Sequence, residues 1–186
     1  MKICRCCADK EWGPAVSREK KLIDVGEFGL IESFRKKLGK QPGVIKGIGD
    51  DAAVLPGGPK KDILFTTDML IEDRHFRLSD ASAYEIGWKA LAVNVSDIAA
   101  MGGTPTQAVI AAGLPAGTSA AFIEGLYRGI QAVAKRFRIG IAGGDTNRSE
   151  KLVISIALLG ETKKNAWIPR SGARVGDVIF VTGFLG

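Results

Sequence analysis

Two long helical patterns, set among short strand-like runs, most constrain what this chain can fold into. The first covers residues 81–101 and the second begins after Ser119, which predicts an N-cap. In the second pattern every stripe position is apolar, whereas the first stripe contains one aspartate, Asp97. The first stripe consists of Ile86, Ala90, Val93, Asp97 and Ala100, and the second of Phe122, Leu126, Ile130, Val133 and Phe137.

Short apolar runs between turn signals predict the strands. A shorter helix is predicted over residues 27–38, where Gly39 supplies the stop signal. This order predicts an α+β fold, with a mixed or antiparallel sheet and its helices on one face. The predicted strands are residues 44–46, 52–55, 63–67, 107–113, 139–142, 152–159 and 178–182.

Length and composition favour one domain. A chain of 186 residues with 46% hydrophobic residues can bury one substantial core. We expect this domain to cover residues 26–186, and residues 1–25 to form an extension of uncertain order that carries Cys4, Cys6 and Cys7. No run approaches the roughly 20 apolar residues that a membrane-spanning helix needs. The start lacks the apolar segment of a secretory signal, so a cytoplasmic location is expected.

The net charge of +6 raises the question of a nucleic-acid partner. However, the basic pairs are scattered along the chain, which favours a solvated surface over a nucleic-acid site. We expect neither a nucleic-acid nor a membrane partner.

Aspartates carry the main chemical signal, because neither a P-loop nor a Gly-x-Gly-x-x-Gly motif is present. They occur at or beside predicted strand ends three times, and Asp97 adds a fourth position on a helix face. A buried carboxylate must be neutral, paired or bound to metal. Magnesium prefers such hard oxygen ligands, and several aspartates would suit more than one ion bridging a polyphosphate. The strand-end aspartates are Asp50 with Asp51, Asp68, and Asp145.

Each aspartate also has a structural interpretation. A single aspartate beside glycine is more often a turn or cap residue than a metal ligand, and Asp97 could pair with Lys89 instead. Recurrence of the same setting favours the metal site. Thr66 and Thr67 could add hydroxyl or carbonyl oxygens to it.

Three further features could contact phosphate. Gly143 and Gly144 could let main-chain amides approach an anion, or form a simple tight turn. His75 could hold a substrate phosphate or cap its loop. Arg170 offers a forked donor suited to phosphate, although a lone loop arginine is usually a surface residue.

Together these motifs resemble the thiamine-monophosphate kinase family, within the aminoimidazole ribonucleotide synthetase-like superfamily. The match runs in order from about residue 26 to the C-terminus. The motifs are Gly26-Glu27-Phe28-x-Leu30-Ile31, Gly47-Ile48-Gly49-Asp50-Asp51, Thr67-Asp68, Lys89-Ala90-Leu91-Ala92-Val93-Asn94-x-Ser96-Asp97-x-Ala99-Ala100-Met101-Gly102, Gly143-Gly144-Asp145-Thr146, Arg170-Ser171-Gly172-Ala173 and Val181-Thr182-Gly183.

The resemblance implies direct transfer of the ATP γ-phosphoryl group to thiamine monophosphate, giving thiamine diphosphate without a catalytic nucleophile. It implies several magnesium ions, ATP as co-substrate, and a homodimer that completes the sheet. By motif, His75 would bind the substrate, and Gly144, Asp145 and Arg170 would bind ATP. The implied magnesium ligands are Asp51, Thr66, Thr67, Asp68, Asp97 and Asp145, with Asp50 a less certain partner.

The resemblance also implies that the family's C-terminal half is absent from this chain. Two alternatives therefore stay open. The chain could be another ATP-using member of the superfamily, or a non-catalytic, dimerising nucleotide-binding fragment.

Overall fold

The structure, a computed structural model, describes residues 21–181 and 183. The prediction for the cysteine-bearing start falls on residues 1–20, outside the described residues. One compact unit ends at Gly39 and a second begins at Lys40. None of the helices in the described part of the chain is both long and apolar enough to cross a membrane.

Helix α1 lies in the first unit and spans Leu22–Leu38. Its path is broken at Gly26, whose φ of 68° is a left-handed conformation that glycine adopts readily. The part of the helix after Gly26 matches the helix predicted over residues 27–38, whereas the helical residues 22–25 were not predicted. The helix ends at Gly39, which also has a positive φ, of 57°.

The second unit contains one five-stranded mixed sheet in the order β1-β2-β5-β3-β4. Neighbouring strands are antiparallel except β3 and β4, which are parallel. The predicted mixed sheet is confirmed. Its strands are β1 Ala53–Pro56, β2 Lys61–Ile71, β3 Thr104–Leu114, β4 Gly140–Arg148 and β5 Val153–Lys163, and the helices are α2 Ala83–Ala100 and α3 Ala120–Phe137.

Helices cover one face of the sheet. Along β2, Leu64, Thr66 and Leu70 are buried, whereas Phe65 and Met69, which point to the opposite face, are exposed. Helix α2 packs on the buried face and α3 packs on α2. The predicted placement of the helices on one face is confirmed, as is the Ser119 N-cap, whose hydroxyl accepts a hydrogen bond from Phe122 N.

Some strand boundaries were wrong. Residues 178–181 are exposed and form no strand, and Thr182 lies outside the described residues. Residues 44–46 form only an isolated bridge, Lys46 to Val54. Strand β2 continues past Asp68, and β4 continues through Gly143 to Asp145 instead of turning there. Pairing with β5 and β3 supplies main-chain partners that local composition does not reveal.

The stripe predicted for α2 was also partly wrong. Ile86 and Ala90 are buried, but Val93 and Asp97 are half-buried and Ala100 is exposed. The buried face is rotated, because α2 lies between the sheet and α3 and must meet both. Its buried residues are Ile86, Gly87, Ala90, Leu91, Asn94, Val95 and Ile98.

Two glycines allow α2 and α3 to approach closely. A Cβ atom at Gly129 would lie 1.9 Å from Tyr84 O, and one at Gly87 would lie 1.9 Å from Leu126 O. These neighbours are main-chain atoms of the opposing helix, so they cannot move aside without shifting a helix.

We therefore predict that Gly129→Ala destabilises the protein. Helix propensity alone would favour alanine by about 1 kcal/mol, but the clash should outweigh it and leave a net loss of about 1–3 kcal/mol. Chemical denaturation measures the change. The matched control is Gly117→Ala, where a Cβ meets nothing within 4 Å, and it should stay within about 0.5 kcal/mol of the wild type. Equal stability of the two variants would contradict the close helix packing.

Candidate functional site

The candidate site lies beside the part of β2 that follows Phe65, where pairing with β1 has ended. Strand β1 pairs with β2 from Pro56 opposite Asp62 to Ala53 opposite Phe65, and goes no further. Asp51 lies just before β1, whereas Thr66 and Asp68 lie just beyond the last paired residue of β2. The shorter strand thus leaves this edge of β2, beside the acidic turn, without a strand partner among the described residues.

Thr66 joins the acidic turn to α2. Its Oγ1 lies 2.7 Å from Asp97 Oδ2 and 3.0 Å from the main-chain oxygen of Asp51. The hydroxyl carries one proton, so it donates to only one of these two acceptors at a time. Asp97 therefore faces Thr66 on β2 and does not pair with Lys89 among the contacts of the described residues.

Asn94 holds the free edge of β2, a role that sequence reasoning missed. The residue is fully buried; its Oδ1 accepts a hydrogen bond from Asp68 N at 3.1 Å, and its Nδ2 donates to Ala90 O at 3.0 Å. Asn94 thus replaces the partner that β1 would have supplied to Asp68. A buried asparagine on an apolar helix face was the available signal, since buried polar groups need partners.

Burial and two neighbouring carboxylates raise the pKa of Asp97. Burial is the largest cause, and the charges of Asp68 and Asp51 add to it, whereas the hydrogen bond from Thr66 and the charge of Arg170 act in the opposite direction. Asp68 and Asp51 are therefore close enough to oppose the ionisation of Asp97, and the ionised cluster would gain from a cation.

Arg170 supplies positive charge at the acidic turn. Its guanidinium forms an ion pair with Asp51, and its main-chain N donates to Asp50 Oδ1 at 2.6 Å. The ion pair raises the pKa of Arg170 further above its usual range, mainly through the hydrogen bond to Asp51. The loop around Arg170 is thus fixed against the turn that the sequence predicted to bind metal.

The donor chemistry of this cluster fits magnesium, since carboxylate and hydroxyl oxygens are its usual protein ligands. The arrangement is open, however. Among residues 21–181 and 183, no three aspartate, glutamate, histidine or cysteine side chains converge well enough to hold one ion. Any bound ion would have to complete its coordination with water or substrate oxygens.

Asp145 lies apart from the other predicted ligands. It is three strands from Asp68, roughly 14 Å at about 4.8 Å per strand spacing. It pairs with exposed Ala111, so it faces the uncovered side of the sheet, and so does exposed Thr67 on β2. One ion cannot join Asp145 to Asp68 in this arrangement, and a shared role would need separate ions or a spanning ligand.

A cavity of about 360 Å³ adjoins the glycine pair on β4. Its lining includes Gly143, Gly144, Asp145 and, from α3, the half-buried Tyr127. Sequence reasoning missed Tyr127, because its position beside the apolar stripe of α3 gives no sign of the strand opposite. A Cβ at Gly144 would lie 1.8 Å from Ile110 O, so the backbone of β4 approaches β3 as only glycine permits.

His75 lies in a tight loop after β2. Its Nδ1 accepts a hydrogen bond from Ile71 N at 3.0 Å, which leaves Nε2 as the donor. Lys89 Nζ donates to His75 O at 2.6 Å. His75 and Lys89 line a separate cavity of about 450 Å³ together with Arg74. Loop capping and ligand contact are therefore compatible at this histidine.

Comparison with known proteins assigns the family. The model of the AIR synthase related protein, N-terminal domain, matches residues 49–162, more than half of the chain. This chain belongs to that family. The matched span begins in the acidic turn and ends in β5, so it contains Asp51, Asp68, Asp97 and Asp145.

Curated relatives support the resemblance seen in the motifs. Over 166 residues the chain is 41% identical to the thiamine-monophosphate kinase of Aquifex aeolicus, covering 89% of this chain and 51% of the relative. It is 38% identical to the thiamine-monophosphate kinase of Bacillus subtilis, covering 86% and 50%. A solved structure described as AaThiL complexed with AMPPCP and TMP matches with a TM-score of 0.78 and 38% identity, over 87% of this chain and 49% of that one.

The resemblance to thiamine-monophosphate kinase is thereby confirmed, and so is the superfamily fold. The chain spans about half the length of the curated relatives it matches. The roles of individual residues stay predictions.

Asp97 gives a prediction about stability in this family member. A raised carboxyl pKa means that the unfolded chain releases its proton at lower pH than the folded protein, so ionised Asp97 opposes folding as the pH rises. Asp97→Asn should therefore raise the melting temperature of the metal-free protein at pH 7. The gain should shrink as the pH falls through the raised pKa of Asp97, and it should be gone below the ordinary aspartate value of 3.8. Thermal denaturation across pH measures it.

The control for that experiment is Glu124→Gln, which removes one exposed carboxylate from α3. It should leave the melting temperature nearly unchanged. If Asp97→Asn lowers the melting temperature at pH 7, the electrostatic cost assigned to Asp97 is contradicted.

Proposed function

We propose that this chain is the nucleotide- and metal-binding part of a thiamine-monophosphate kinase. The observation that carries the proposal is the meeting of Asp51, Thr66, Asp68 and Asp97 at the free edge of β2, in a relative of proteins that bear this name. The bound AMPPCP and TMP in the similar solved structure are consistent with ATP and thiamine monophosphate as its ligands.

The reaction would be a direct transfer. A phosphate oxygen of thiamine monophosphate attacks the γ-phosphorus of ATP, the bond to the β,γ-bridging oxygen breaks, and ADP leaves with that electron pair. Such transfers depend mainly on positioning and charge neutralisation. Bound magnesium would supply charge neutralisation between the two anions. No protein nucleophile is proposed.

The chain's residues would divide these tasks by position. Asp51, Thr66, Asp68 and Asp97 would hold magnesium at the free edge of β2, and Thr67 and Asp145 would serve from the uncovered face. Gly144, Asp145 and Arg170 would bind ATP, with the cavity beside Tyr127 as a candidate place for its base. His75 would contact thiamine monophosphate through Nε2.

The rest of the proposal concerns organisation and location. We propose that residues 26–186 act as the ATP- and magnesium-binding domain, in the cytoplasm, as a homodimer. Support for the homodimer comes from the uncovered sheet face, where Phe65, Met69 and Val109 are 43%, 53% and 45% exposed. Exposed apolar patches of this kind are typical of protein interfaces.

The decisive test uses the purified chain with ATP, magnesium and thiamine monophosphate. We expect magnesium-dependent binding of a non-hydrolysable ATP analogue by calorimetry, and formation of ADP and thiamine diphosphate by chromatography. Asp68→Asn should weaken analogue binding at least about tenfold, since it removes a charged contact. The control Asp80→Asn removes an exposed aspartate elsewhere on the chain and should not.

The remaining outcomes of this test would contradict different parts of the proposal. Binding without any turnover would contradict kinase activity by this chain and favour a nucleotide-binding module. Preferred turnover of formylglycinamidine ribonucleotide would favour the aminoimidazole ribonucleotide synthetase alternative. Absence of analogue binding, or unchanged binding in Asp68→Asn, would contradict the proposed site.

The homodimer predicts a second result. Met69→Glu places a charge on the uncovered sheet face, so it should shift the protein from dimer to monomer in sedimentation velocity experiments. Gln131→Glu, on the exposed side of α3, adds the same charge elsewhere and should leave the dimer intact. A wild-type chain that sediments as a monomer at all concentrations would contradict the homodimer.

A further inference from the structure

Asp50 differs from the other carboxylates of the acidic cluster because its side chain is turned inward. That side chain is 1% exposed, whereas the side chain of neighbouring Asp51 is 26% exposed. Asp50 Oδ1 accepts a hydrogen bond from Arg170 N at 2.6 Å. Its Oδ2 lies 3.1 Å from Lys46 Nζ and makes no hydrogen bond within the described part of the chain.

These contacts argue against Asp50 as a metal ligand. A magnesium ion that also binds substrate phosphates must be reached from solvent, and the Asp50 carboxylate is committed instead to Lys46 and to the Arg170 main chain. The buried charge is offset by Lys46, whose ammonium forms an ion pair with Oδ2. Asp50 therefore joins the acidic turn to the loop that carries Arg170.

Two contacts hold Arg170, one through its main chain and one through its guanidinium, and they differ in solvent exposure. The main-chain contact ends on the buried Asp50, but the guanidinium contact to Asp51 is made by a side chain that is 61% exposed. An exposed ion pair contributes only about 0.2–1 kcal/mol. The guanidinium can thus exchange Asp51 for another anion at little cost while its main chain stays fixed.

We propose that Asp50 is a positioning residue that anchors the Arg170 main chain, so that the Arg170 guanidinium can alternate between Asp51 and a nucleotide phosphate. In the metal-free protein, the guanidinium neutralises Asp51. When a cation takes its place at Asp51, the guanidinium is repelled by the cation and free to meet the phosphate that the cation also attracts. This inference rests on the proposed function, since it concerns the same nucleotide site.

The proposal makes Arg170 a competitor of the metal and a partner of the nucleotide. Two affinities separate these roles in the full chain. One is the affinity for Mn²⁺ alone, measured by electron paramagnetic resonance, because Mn²⁺ shares the oxygen ligands of magnesium. The other is the affinity for AMPPCP at saturating Mg²⁺, measured by calorimetry.

Arg170→Ala should change the two affinities in opposite directions. Mn²⁺ alone should bind about two- to fivefold more tightly, the equivalent of losing an exposed ion pair. AMPPCP should bind about tenfold or more weakly, because a charged hydrogen bond to phosphate is lost. The matched control is Arg174→Ala, which removes an arginine of the same segment whose main-chain N donates to Asp177 Oδ2; both affinities should stay within about twofold.

Substitution of Asp50 distinguishes positioning from ligation. Asp50→Ala removes the anchor, so AMPPCP should bind several-fold more weakly while Mn²⁺ alone binds within about twofold of the wild type. Asp50→Asn keeps an oxygen that can accept from Arg170 N, so it should restore most of the AMPPCP affinity. If Asp50→Ala does not fold, Asp50→Asn and Arg170→Ala still decide the matter.

Three results would overturn the proposal. Loss of Mn²⁺ binding in both Asp50 variants would make Asp50 a ligand. Unchanged or weaker Mn²⁺ binding in Arg170→Ala would exclude the competition. Unchanged AMPPCP binding in Arg170→Ala would exclude the phosphate contact. Failure of thiamine monophosphate phosphorylation alone, with both affinities behaving as expected, would contradict the proposed kinase activity and leave this exchange intact.

Discussion

Strand β1 pairs with β2 only as far as Phe65, and the candidate site is built on the edge that this short strand leaves free. A free strand edge exposes main-chain groups that need partners. Here Asn94 of α2 meets Asp68 N, and Thr66 joins α2 to the acidic turn. The same feature therefore fixes α2 against the sheet and brings three carboxylates together.

In this arrangement, apolar burial stabilises the fold, whereas the clustered carboxylates destabilise it. The covered face of the sheet and the close approach of α2 and α3 supply apolar burial, whereas burial of Asp97 beside Asp68 and Asp51 raises its pKa. Arg170 offsets part of this repulsion through Asp51. The remaining electrostatic repulsion lies where a bound cation would relieve it. Such unfavourable charge clusters are common at functional sites.

The aspartates and the family could be predicted from the sequence, because they depend on residue type, order and local spacing. Asp97 was singled out as a charge on an apolar helix, and the structure gives it a half-buried position and a raised pKa. Asn94 and Tyr127 were missed, since their significance comes from residues on other elements. Strand β4 was taken to end before its glycines, because pairing with β3 is a non-local interaction.

The sequence by itself therefore determined the components of the structure: an α+β fold, two long helices, the Ser119 cap and the aspartate motifs of the family. Only the tertiary structure decided which of these aspartates lie together and which lie apart. Strand order and side-chain alternation put Asp145 three strands from Asp68 and on the other face, and loop packing put Arg170 on Asp51. Register and loop packing join residues far apart in the chain, and no local pattern encodes them.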